Sequence, residues 1–214
     1  MIKIAPSILS ADFAHLAEDI QKVTDAGAEY IHIDVMDGCF VPNITLGSPV
    51  VKSLRKESPA VFDVHLMVEH PENQVAAFAE AGADIITFHA EAAVHAHRIL
   101  QDIRSRGCKA GIAVNPGTSL TLIEELISDA DIILLMTVNP GFGGQKFIPS
   151  MLDKIARLRE IVDGDQLSTD IEVDGGINAE TAKAVVEAGA NVLVAGSFIY
   201  GARDIPAAIA ALRA

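Results

Sequence analysis

The stretch EAGANVLVA, residues 187–195, joins the end of a helix, a glycine and an apolar strand, and the same pattern occurs twice earlier in the chain. DAGAEYIHI occupies residues 25–33 and EAGADIITF occupies residues 80–88. A glycine at a helix end favours the left-handed backbone that stops the helix, and the apolar run that follows is typical of a buried strand. Three copies of one helix–turn–strand pattern indicate a fold built from repeated units.

Eight short apolar runs of this kind are spread over the whole chain, with helical stretches between them. Near-continuous apolar runs are typical of parallel strands covered on both faces. We predict strands at residues 2–6, 30–34, 61–67, 84–89, 109–114, 131–137, 170–174 and 192–196. The helical stretches include residues 13–26, 72–81, 120–128, 151–162 and 180–188. The candidate N-caps are Ser10 or Asp12 for the first helix, Ser119 for the fifth, Ser150 for the sixth and Asn178 for the seventh.

Eight βα units in 214 residues fit a (β/α)8 TIM barrel, an α/β fold that we expect to form a single domain over residues 1–214. The alternative is an open doubly wound sheet, whose first turn would carry a GxGxxG phosphate-binding motif. The first predicted strand is instead followed by SILSAD, residues 7–12, which contains no glycine. The barrel is therefore favoured, and no linker rich in serine, glycine or charge divides the chain.

The composition argues against several classes of function. The formal net charge is −13 and there is no run of lysine or arginine, which argues against a nucleic-acid or anionic-membrane surface. The N-terminal sequence lacks the basic region and long apolar stretch of a signal peptide, and the longest apolar run, IILLM at residues 132–136, is too short to span a bilayer. Two cysteines, Cys39 and Cys108, provide no disulfide framework. We therefore expect a cytoplasmic protein with reduced thiols and with neither nucleic-acid nor membrane partners.

Polar side chains interrupt three of the predicted strands near their carboxyl ends, where a barrel carries its active site. His32 and Asp34 lie two residues apart and therefore point to the same side of the second strand. His65 lies near the end of the third strand and Asp174 ends the seventh. Two imidazoles and two carboxylates suit Zn²⁺, Mn²⁺, Fe²⁺ or Co²⁺ better than Ca²⁺ or Mg²⁺. The alternative is that each residue is a hydrogen-bonded member of the barrel interior.

Further polar residues lie on the same strands. Asp63 and Glu172 each precede a proposed ligand by two residues and so point into the same interior. They could orient the ligands through hydrogen bonds, or have a structural role deeper in the barrel. His89, which ends the fourth strand, is kept as a further candidate. Three other histidines are expected at solvated helical positions: His15, His95 and His97. His70 is expected in a turn.

Glycine-rich segments follow the last three strands. NPGFGGQ occupies residues 139–145 after the sixth strand, Gly175 and Gly176 follow the seventh, and Gly196 and Ser197 follow the eighth. Backbone N–H groups in such turns bind a phosphate without any lysine or arginine, and barrels frequently place a phosphate site after strands seven and eight. The segments therefore predict an anion site despite the negative net charge.

Five segments of the chain resemble the ribulose-phosphate 3-epimerase family, in matching order from Ile4 to about Gly201. They are IAPSILSADF (4–13), HIDVMDGCFVPNIT (32–45), DVHLMV (63–68), MTVNPGFGGQKFI (136–148) and VDGGIN (173–178). Small departures, at residues 46–48 and at Lys146, lie outside the proposed ligands. The resemblance implies a ribulose-phosphate-binding barrel and a metal-dependent isomerase of carbohydrate metabolism. It would act in the pentose phosphate pathway, interconverting D-ribulose 5-phosphate and D-xylulose 5-phosphate at carbon 3 through an ene-diolate.

The resemblance also implies roles for individual positions. One divalent metal ion per subunit (Zn, Fe, Mn or Co) would be bound by His32, Asp34, His65 and Asp174. The acid/base pair would be Asp34 and Asp174. The sugar phosphate would be bound by Ser7, His65, Gly141, Phe142, Gly143, Gly144, Asp174, Gly175, Gly176, Gly196 and Ser197. Near the ene-diolate would lie Met36, Met67 and Met136, for which the alternative role is filling the barrel core.

Other functions remain compatible with these features. A 3-epimerase of a six-carbon ketose phosphate, such as D-allulose 6-phosphate, would use the same metal and the same carboxylates. A metal-free phosphate-binding barrel, like those of tryptophan or histidine biosynthesis, would have no need of the four-residue set. A sugar-phosphate sensor or an assembly scaffold is the non-enzymatic alternative. Members of the resembled family form homo-oligomers, often dimers or hexamers, which is the expectation here.

Overall fold

The computed structural model describes residues 2–213, which form an eight-stranded parallel sheet. Its strands are β1 (Lys3–Pro6), β2 (Tyr30–Met36), β3 (Val61–Met67), β4 (Ile85–His89), β5 (Lys109–Val114), β6 (Ile132–Met136), β7 (Asp170–Asp174) and β8 (Val192–Ala195). Hydrogen-bonded neighbours follow the order β1-β8-β7-β6-β5-β4-β3-β2, and a bridge between Ser7 and His32 joins the two ends into a nearly closed barrel. All eight predicted strands and the (β/α)8 barrel are confirmed.

Eight α-helices lie between the strands or after the last strand of the described chain. They are α1 (Leu16–Asp25), α2 (Ser48–Glu57), α3 (Val75–Ala81), α4 (Ala96–Ser105), α5 (Met151–Gly164), α6 (Ala179–Glu187), α7 (Ser197–Tyr200) and α8 (Ile205–Ala211). Short 3-10 helices lie at Ile8–Ser10, Pro71–Asn73, Ala90–Ala92, Leu120–Leu122 and Glu124–Asp129. The connection between β5 and β6 therefore contains 3-10 turns in place of an α-helix.

The α-helix predicted over residues 120–128 is wrong, because this segment forms two 3-10 helices that meet at Ile123. Leu120 and Ile123 are both buried, and their spacing of three residues matches the 3-10 period. Ser119 caps the segment as predicted, since its hydroxyl accepts a hydrogen bond from the Thr121 N–H at 3.3 Å.

Helix α1 begins later than predicted, at Leu16, directly after His15. Neither Ser10 nor Asp12 is its N-cap. Ser10 ends the preceding 3-10 helix, while the Asp12 carboxylate accepts a hydrogen bond from the Ala14 N–H at 3.0 Å within a turn. The polar residues before α1 therefore stabilise a separate turn, which delays the helix.

The remaining cap predictions have different outcomes. Asn178 caps α6 as predicted, because its side chain accepts hydrogen bonds from the N–H groups of Glu180 and Thr181. Ser150 precedes α5, but its side chain makes no capping hydrogen bond. The stretch predicted as one helix over residues 72–81 is divided into a 3-10 turn and the shorter helix α3.

The apolar core lies mainly between the sheet and the surrounding helices, where large side chains such as Phe62, Phe78 and Phe88 are fully buried. A smaller cluster inside the barrel contains Ala5, Tyr30, Ile85, Ile132, Val192 and Val194. Four of these residues begin their strands and close the amino-terminal end of the barrel with apolar side chains: Tyr30, Ile85, Ile132 and Val192. The polar interior residues consequently lie towards the carboxyl ends of the strands.

Cys39 is exposed, Cys108 is buried, and both are free thiols. Within residues 2–213, no helix combines the length and the apolarity that crossing a membrane requires.

Lys154 of α5 is a buried cation that fixes the loop after β5. The residue is 6% exposed, and its Nζ donates hydrogen bonds to the carbonyl oxygens of Asn115 (3.1 Å), Pro116 (2.7 Å) and Thr118 (2.7 Å). Three carbonyls of one short loop thus share a single charged donor, which holds the loop against α5.

We expect Lys154→Met to lower the free energy of unfolding by about 2 kcal/mol, because the three carbonyls lose a charged donor that methionine does not replace. Urea denaturation measures this change. Lys183→Met, at an exposed position of α6, is the matched control and should change stability by less than about 0.5 kcal/mol. Equal unfolding midpoints for the two variants would show that the Lys154 contacts do not stabilise the fold.

Candidate active site

The strand register brings the polar residues together in layers at one end of the barrel. The facing pairs of β2 and β3 are, in order, His32 with Asp63, Asp34 with His65, and Met36 with Met67. Because side chains alternate along a strand, all three pairs point into the barrel. Asp174, at the end of β7, lies opposite Met136 of β6 and faces the same end.

Ligand atoms of His32, Asp34, His65 and Asp174 all lie within 4.8 Å of one another. His32 Nε2 and His65 Nδ1 lie 3.5 Å and 3.4 Å from Asp34 Oδ1, and His65 Nδ1 lies 4.0 Å from Asp174 Oδ2. Both ring nitrogens are buried and have no hydrogen-bond partner among the described residues. A cation would satisfy these lone pairs, so this buried group could hold a divalent metal.

Hydrogen bonds from neighbouring residues orient members of this group. His32 Nδ1 lies 2.7 Å from Asp63 Oδ2, which turns the opposite ring nitrogen towards Asp34. The Ser7 hydroxyl donates to Asp34 Oδ2 at 2.5 Å, leaving Oδ1 to face the imidazoles. The Thr45 hydroxyl donates to the backbone carbonyl of Asp34 at 2.6 Å. Of the two roles that the sequence allowed for Asp63, the geometry favours orientation of His32.

Burial and neighbouring charges separate the pKa values of the two carboxyl groups. Burial and the Asp34 carboxylate raise the pKa of Asp174 to about 7. Burial alone would also raise the pKa of Asp34, but the imidazoles of His32 and His65 bring it well below its ordinary value. Burial lowers the pKa of His65 to about 4, helped by the neighbouring rings of His89 and His32 and opposed by the Asp34 carboxylate. Carboxyl groups with unequal proton affinities are the arrangement that a paired acid and base require.

Glu172 of β7 lies beside the other nitrogen of His32. Its Oε1 is 3.7 Å from His32 Nδ1, and its side chain is fully buried. Burial and the nearby Asp63 carboxylate raise the pKa of Glu172 well above its ordinary value. Glu172 thus contacts the Nδ1 side of the His32 ring, away from the nitrogen that faces Asp34.

A pocket opens above the four-residue group, and nearly all of the predicted substrate-binding residues line it. Its wall contains Ser7, Gly141, Phe142, Gly143, Gly144, Asp174, Gly175, Gly176, Gly196 and Ser197, together with Asp34, Met36, Met67 and Met136. His65 and His32 are fully buried and do not line the pocket. Lining residues that the sequence did not single out include Leu9, Ser10, Val138, Gln145 and Ile177.

Three glycines of the pocket, Gly175, Gly176 and Gly196, lie where an added Cβ would come closer than 3 Å to a neighbouring residue. Gly175 and Gly176 have φ values of +121° and +68°, in the left-handed region. A Cβ on Gly176 would lie 2.3 Å from the Phe147 nitrogen, and one on Gly196 would lie 2.6 Å from Ser10 Oγ. These turns therefore place backbone atoms at the pocket wall where side chains do not fit.

Two side chains that the sequence did not identify brace the glycine-rich segments. Gln145 Nε2 donates to the carbonyl oxygens of Asn139 at 2.6 Å and Phe142 at 2.9 Å. The Thr137 hydroxyl donates to the Gly175 carbonyl at 2.6 Å. The only sequence signal was a polar residue at each edge of a glycine-rich segment, which is too common to be diagnostic.

His89, the further candidate from the sequence, contacts His65, one of the four proposed metal ligands. Its Nε2 lies 2.9 Å from His65 Nε2, and its Nδ1 lies 3.3 Å from Glu91 Oε2. Glu91 was not identified from the sequence, where the only signal is its position two residues after His89. The histidines expected at the surface are exposed there: His15, His70, His95 and His97.

Known proteins of one family match nearly the whole chain. The family described as "Ribulose-phosphate 3 epimerase family" matches residues 3–200. The ribulose-phosphate 3-epimerase of Bacillus subtilis is 55% identical, with 100% of this chain and 99% of that protein covered. The enzyme of the same name from Synechocystis is 51% identical, with coverage of 99% and 93%. The solved structure of 3-hexulose-6-phosphate synthase from Salmonella typhimurium shares the fold, with a TM-score of 0.71, 21% identity and coverage of 99% and 96%. The chain therefore belongs to the ribulose-phosphate 3-epimerase family of enzymes.

Proposed function

We propose that this enzyme is a metal-dependent epimerase that interconverts D-ribulose 5-phosphate and D-xylulose 5-phosphate at carbon 3, a reaction of the pentose phosphate pathway. The observation that carries the proposal is the convergence of two carboxylates with two buried imidazole nitrogens that have no hydrogen-bond partner within residues 2–213. This group lies beneath a pocket walled by glycine turns. The names of the relatives support the substrate class.

The proposed metal ligands are His32, Asp34, His65 and Asp174, which would hold one Zn²⁺, Fe²⁺, Mn²⁺ or Co²⁺ ion per subunit. Two nitrogen and two oxygen donors are a set that these cations accept. When bound, the cation would supply a Lewis acid that stabilises negative charge on the ene-diolate oxygen.

The proposed acid/base pair is Asp34 and Asp174. Epimerisation at carbon 3 requires that a proton leaves one face of the carbon and that a proton returns to the other face. The two side chains reach the pocket from β2 and β7, so they approach a bound sugar from different strands. One takes the proton while the other donates, and the roles reverse with the direction of reaction.

The proposed phosphate site is formed by the glycine turns after β6, β7 and β8. Backbone N–H groups would bind the anion there, which explains how a chain of net charge −13 accepts a phosphorylated substrate. Met36, Met67 and Met136 line the same pocket and would pack around the reacting carbons with polarisable, apolar side chains. The other substrate contacts, the homo-oligomeric state and the cytoplasmic location stay predictions.

We expect chelation to reduce epimerase activity at least about 100-fold, because the ene-diolate would lose its Lewis acid. A coupled assay with D-ribulose 5-phosphate measures the loss, followed by add-back of Zn²⁺, Mn²⁺, Fe²⁺ or Co²⁺ singly. Recovery with one of these ions would support the proposal and identify the metal that the site accepts.

Two results would contradict parts of the proposal. Full activity in protein that elemental analysis shows to be metal-free would remove the metal from the mechanism and leave the epimerase reaction. Turnover of D-allulose 6-phosphate without turnover of D-ribulose 5-phosphate would assign the six-carbon substrate instead.

A further inference from the structure

Hydrogen bonds extend outward from His65, on the side away from the proposed metal. His65 Nδ1 faces Asp34 Oδ1 at 3.4 Å, and the other ring nitrogen, Nε2, lies 2.9 Å from Nε2 of His89. His89 Nδ1 in turn lies 3.3 Å from Glu91 Oε2. Both imidazoles are fully buried, so neither ring exchanges its protein partner for bulk water.

The Glu91 carboxylate, at the outer end of these hydrogen bonds, determines which nitrogen of each imidazole carries the proton. The Glu91 carboxylate only accepts hydrogen bonds, so His89 carries its proton on Nδ1 and presents a lone pair at Nε2. Between two Nε2 atoms one ring must donate and the other accept. His65 therefore carries its proton on Nε2, which leaves its Nδ1 as a lone pair directed towards Asp34.

Residues other than the four proposed metal ligands keep Glu91 ionised, so that it acts only as a hydrogen-bond acceptor. Its Oε1 accepts a hydrogen bond from the Asn115 N–H at 2.7 Å and another from the Thr118 hydroxyl. Burial alone would raise the pKa of Glu91, but hydrogen bonds from His89, Thr118 and Asn115 lower it to about 2. Lys154 holds the carbonyls of Asn115 and Thr118 and so keeps the two donors in place.

Packing restricts the orientation of the His89 ring. The Phe40 ring packs against it with centroids 4.7 Å apart. The His65 ring meets it end to end through the two Nε2 atoms, with centroids 5.0 Å apart and an angle of 29° between the planes. A ring enclosed in this way does not turn freely to exchange its two nitrogens, so the direction of the hydrogen bonds is maintained.

We propose that His89 and Glu91 are positioning residues that hold the His65 proton on Nε2 and thereby keep Nδ1 available as a metal ligand. The inference rests on the proposed function, because it requires that His65 binds the metal. A related arrangement serves His32, whose Nδ1 contacts the Asp63 carboxylate directly. For His65 a second imidazole stands between the ring and the carboxylate.

Glu91→Gln tests the proton order with almost no change in side-chain size. The glutamine carbonyl is the partner that the Asn115 N–H and the Thr118 hydroxyl require, which turns the amide NH₂ towards His89 Nδ1. His89 then accepts at Nδ1 and carries its proton on Nε2. The His65 proton is in turn displaced to Nδ1, where it blocks metal binding.

We expect Glu91→Gln to weaken Co²⁺ binding roughly 10- to 100-fold, measured by competition with a chelator. Nitrogen-15 NMR of the histidine rings in metal-free protein should show the His65 proton on Nε2 in the native chain and on Nδ1 in the variant. Glu72→Gln is the matched control, because Glu72 Oε1 lies 3.4 Å from the ring of His70, also two residues earlier, but at the surface. The Co²⁺ affinity of Glu72→Gln should equal that of the native chain.

His65→Ala separates this inference from the proposed function. Native Co²⁺ affinity in His65→Ala would overturn the proposed metal site itself. Loss of affinity in His65→Ala with native affinity and an unchanged His65 tautomer in Glu91→Gln would overturn the positioning role alone. Should Glu91→Gln fail to fold by circular dichroism, His89→Phe replaces the ring without its nitrogens, and native Co²⁺ affinity in that variant would equally overturn the inference.

Discussion

Asp174→Asn should reduce turnover of D-ribulose 5-phosphate by about 10²- to 10⁴-fold while the barrel stays folded. Asparagine has nearly the shape of aspartate, but its amide neither takes up nor releases a proton at carbon 3, and it is a weaker ligand for a divalent cation. The Asp174 side chain is 18% exposed at the pocket wall, so the substitution removes no core packing. Steady-state kinetics and thermal unfolding measure the two effects separately.

Asp170→Asn is the control on the same strand. Asp170 begins β7, at the opposite end from the pocket, and accepts hydrogen bonds from Lys3 Nζ at 2.5 Å and Asn191 Nδ2 at 2.7 Å. We expect this variant to lose about 1 kcal/mol of stability and to keep kcat within about twofold of the native value. Retention of most activity by Asp174→Asn would exclude Asp174 from the acid/base pair.

The strands were predictable because buried parallel strands carry apolar runs that are visible in the sequence. Val61–Met67 and Lys109–Val114 were predicted to the residue. Helix starts were less predictable, since they depend on contacts made elsewhere in the fold. Asp12, for example, accepts a hydrogen bond from the Ala14 N–H within a turn, and α1 begins only after it, at Leu16.

The candidate site was predictable only in part. His32 and Asp34 share a face of one strand by simple alternation, which the sequence shows directly. That Asp34 lies opposite His65 depends on the register between two strands, and a register is set by packing over the whole barrel. Glu91 could not be found, because its role depends on backbone and hydroxyl donors in the loop of the next βα unit.

Gly176→Ala should lower the free energy of unfolding by about 3 kcal/mol and raise KM for the sugar phosphate at least about tenfold. The positive φ of Gly176 alone costs an alanine about 1 to 2 kcal/mol. Its Cβ would also lie 2.3 Å from the nitrogen and 2.7 Å from the Cα of Phe147. These are backbone atoms, so either the turn after β7 or the loop after β6 must move. Both segments contribute to the pocket wall, and the proposed phosphate site would be displaced.

Gly27→Ala separates backbone strain from this clash. Gly27 has a φ of +88° after α1, and a Cβ there would have no neighbour within 4 Å among the described residues. Strain alone should therefore cost about 1 to 2 kcal/mol, with KM unchanged, and each 1 kcal/mol lowers Tm by roughly 2 to 4 °C for a chain of this size. If Gly176→Ala loses stability but keeps a native KM, the turn has only a structural role and the phosphate binds elsewhere. If Gly176→Ala matches Gly27→Ala in both Tm and KM, the Phe147 backbone moves aside without changing the pocket. The close contact between Gly176 and Phe147 then does not determine the shape of the site. A rise in KM for Gly176→Ala alone is the expected result, because only there does the added methyl group displace backbone that faces the substrate.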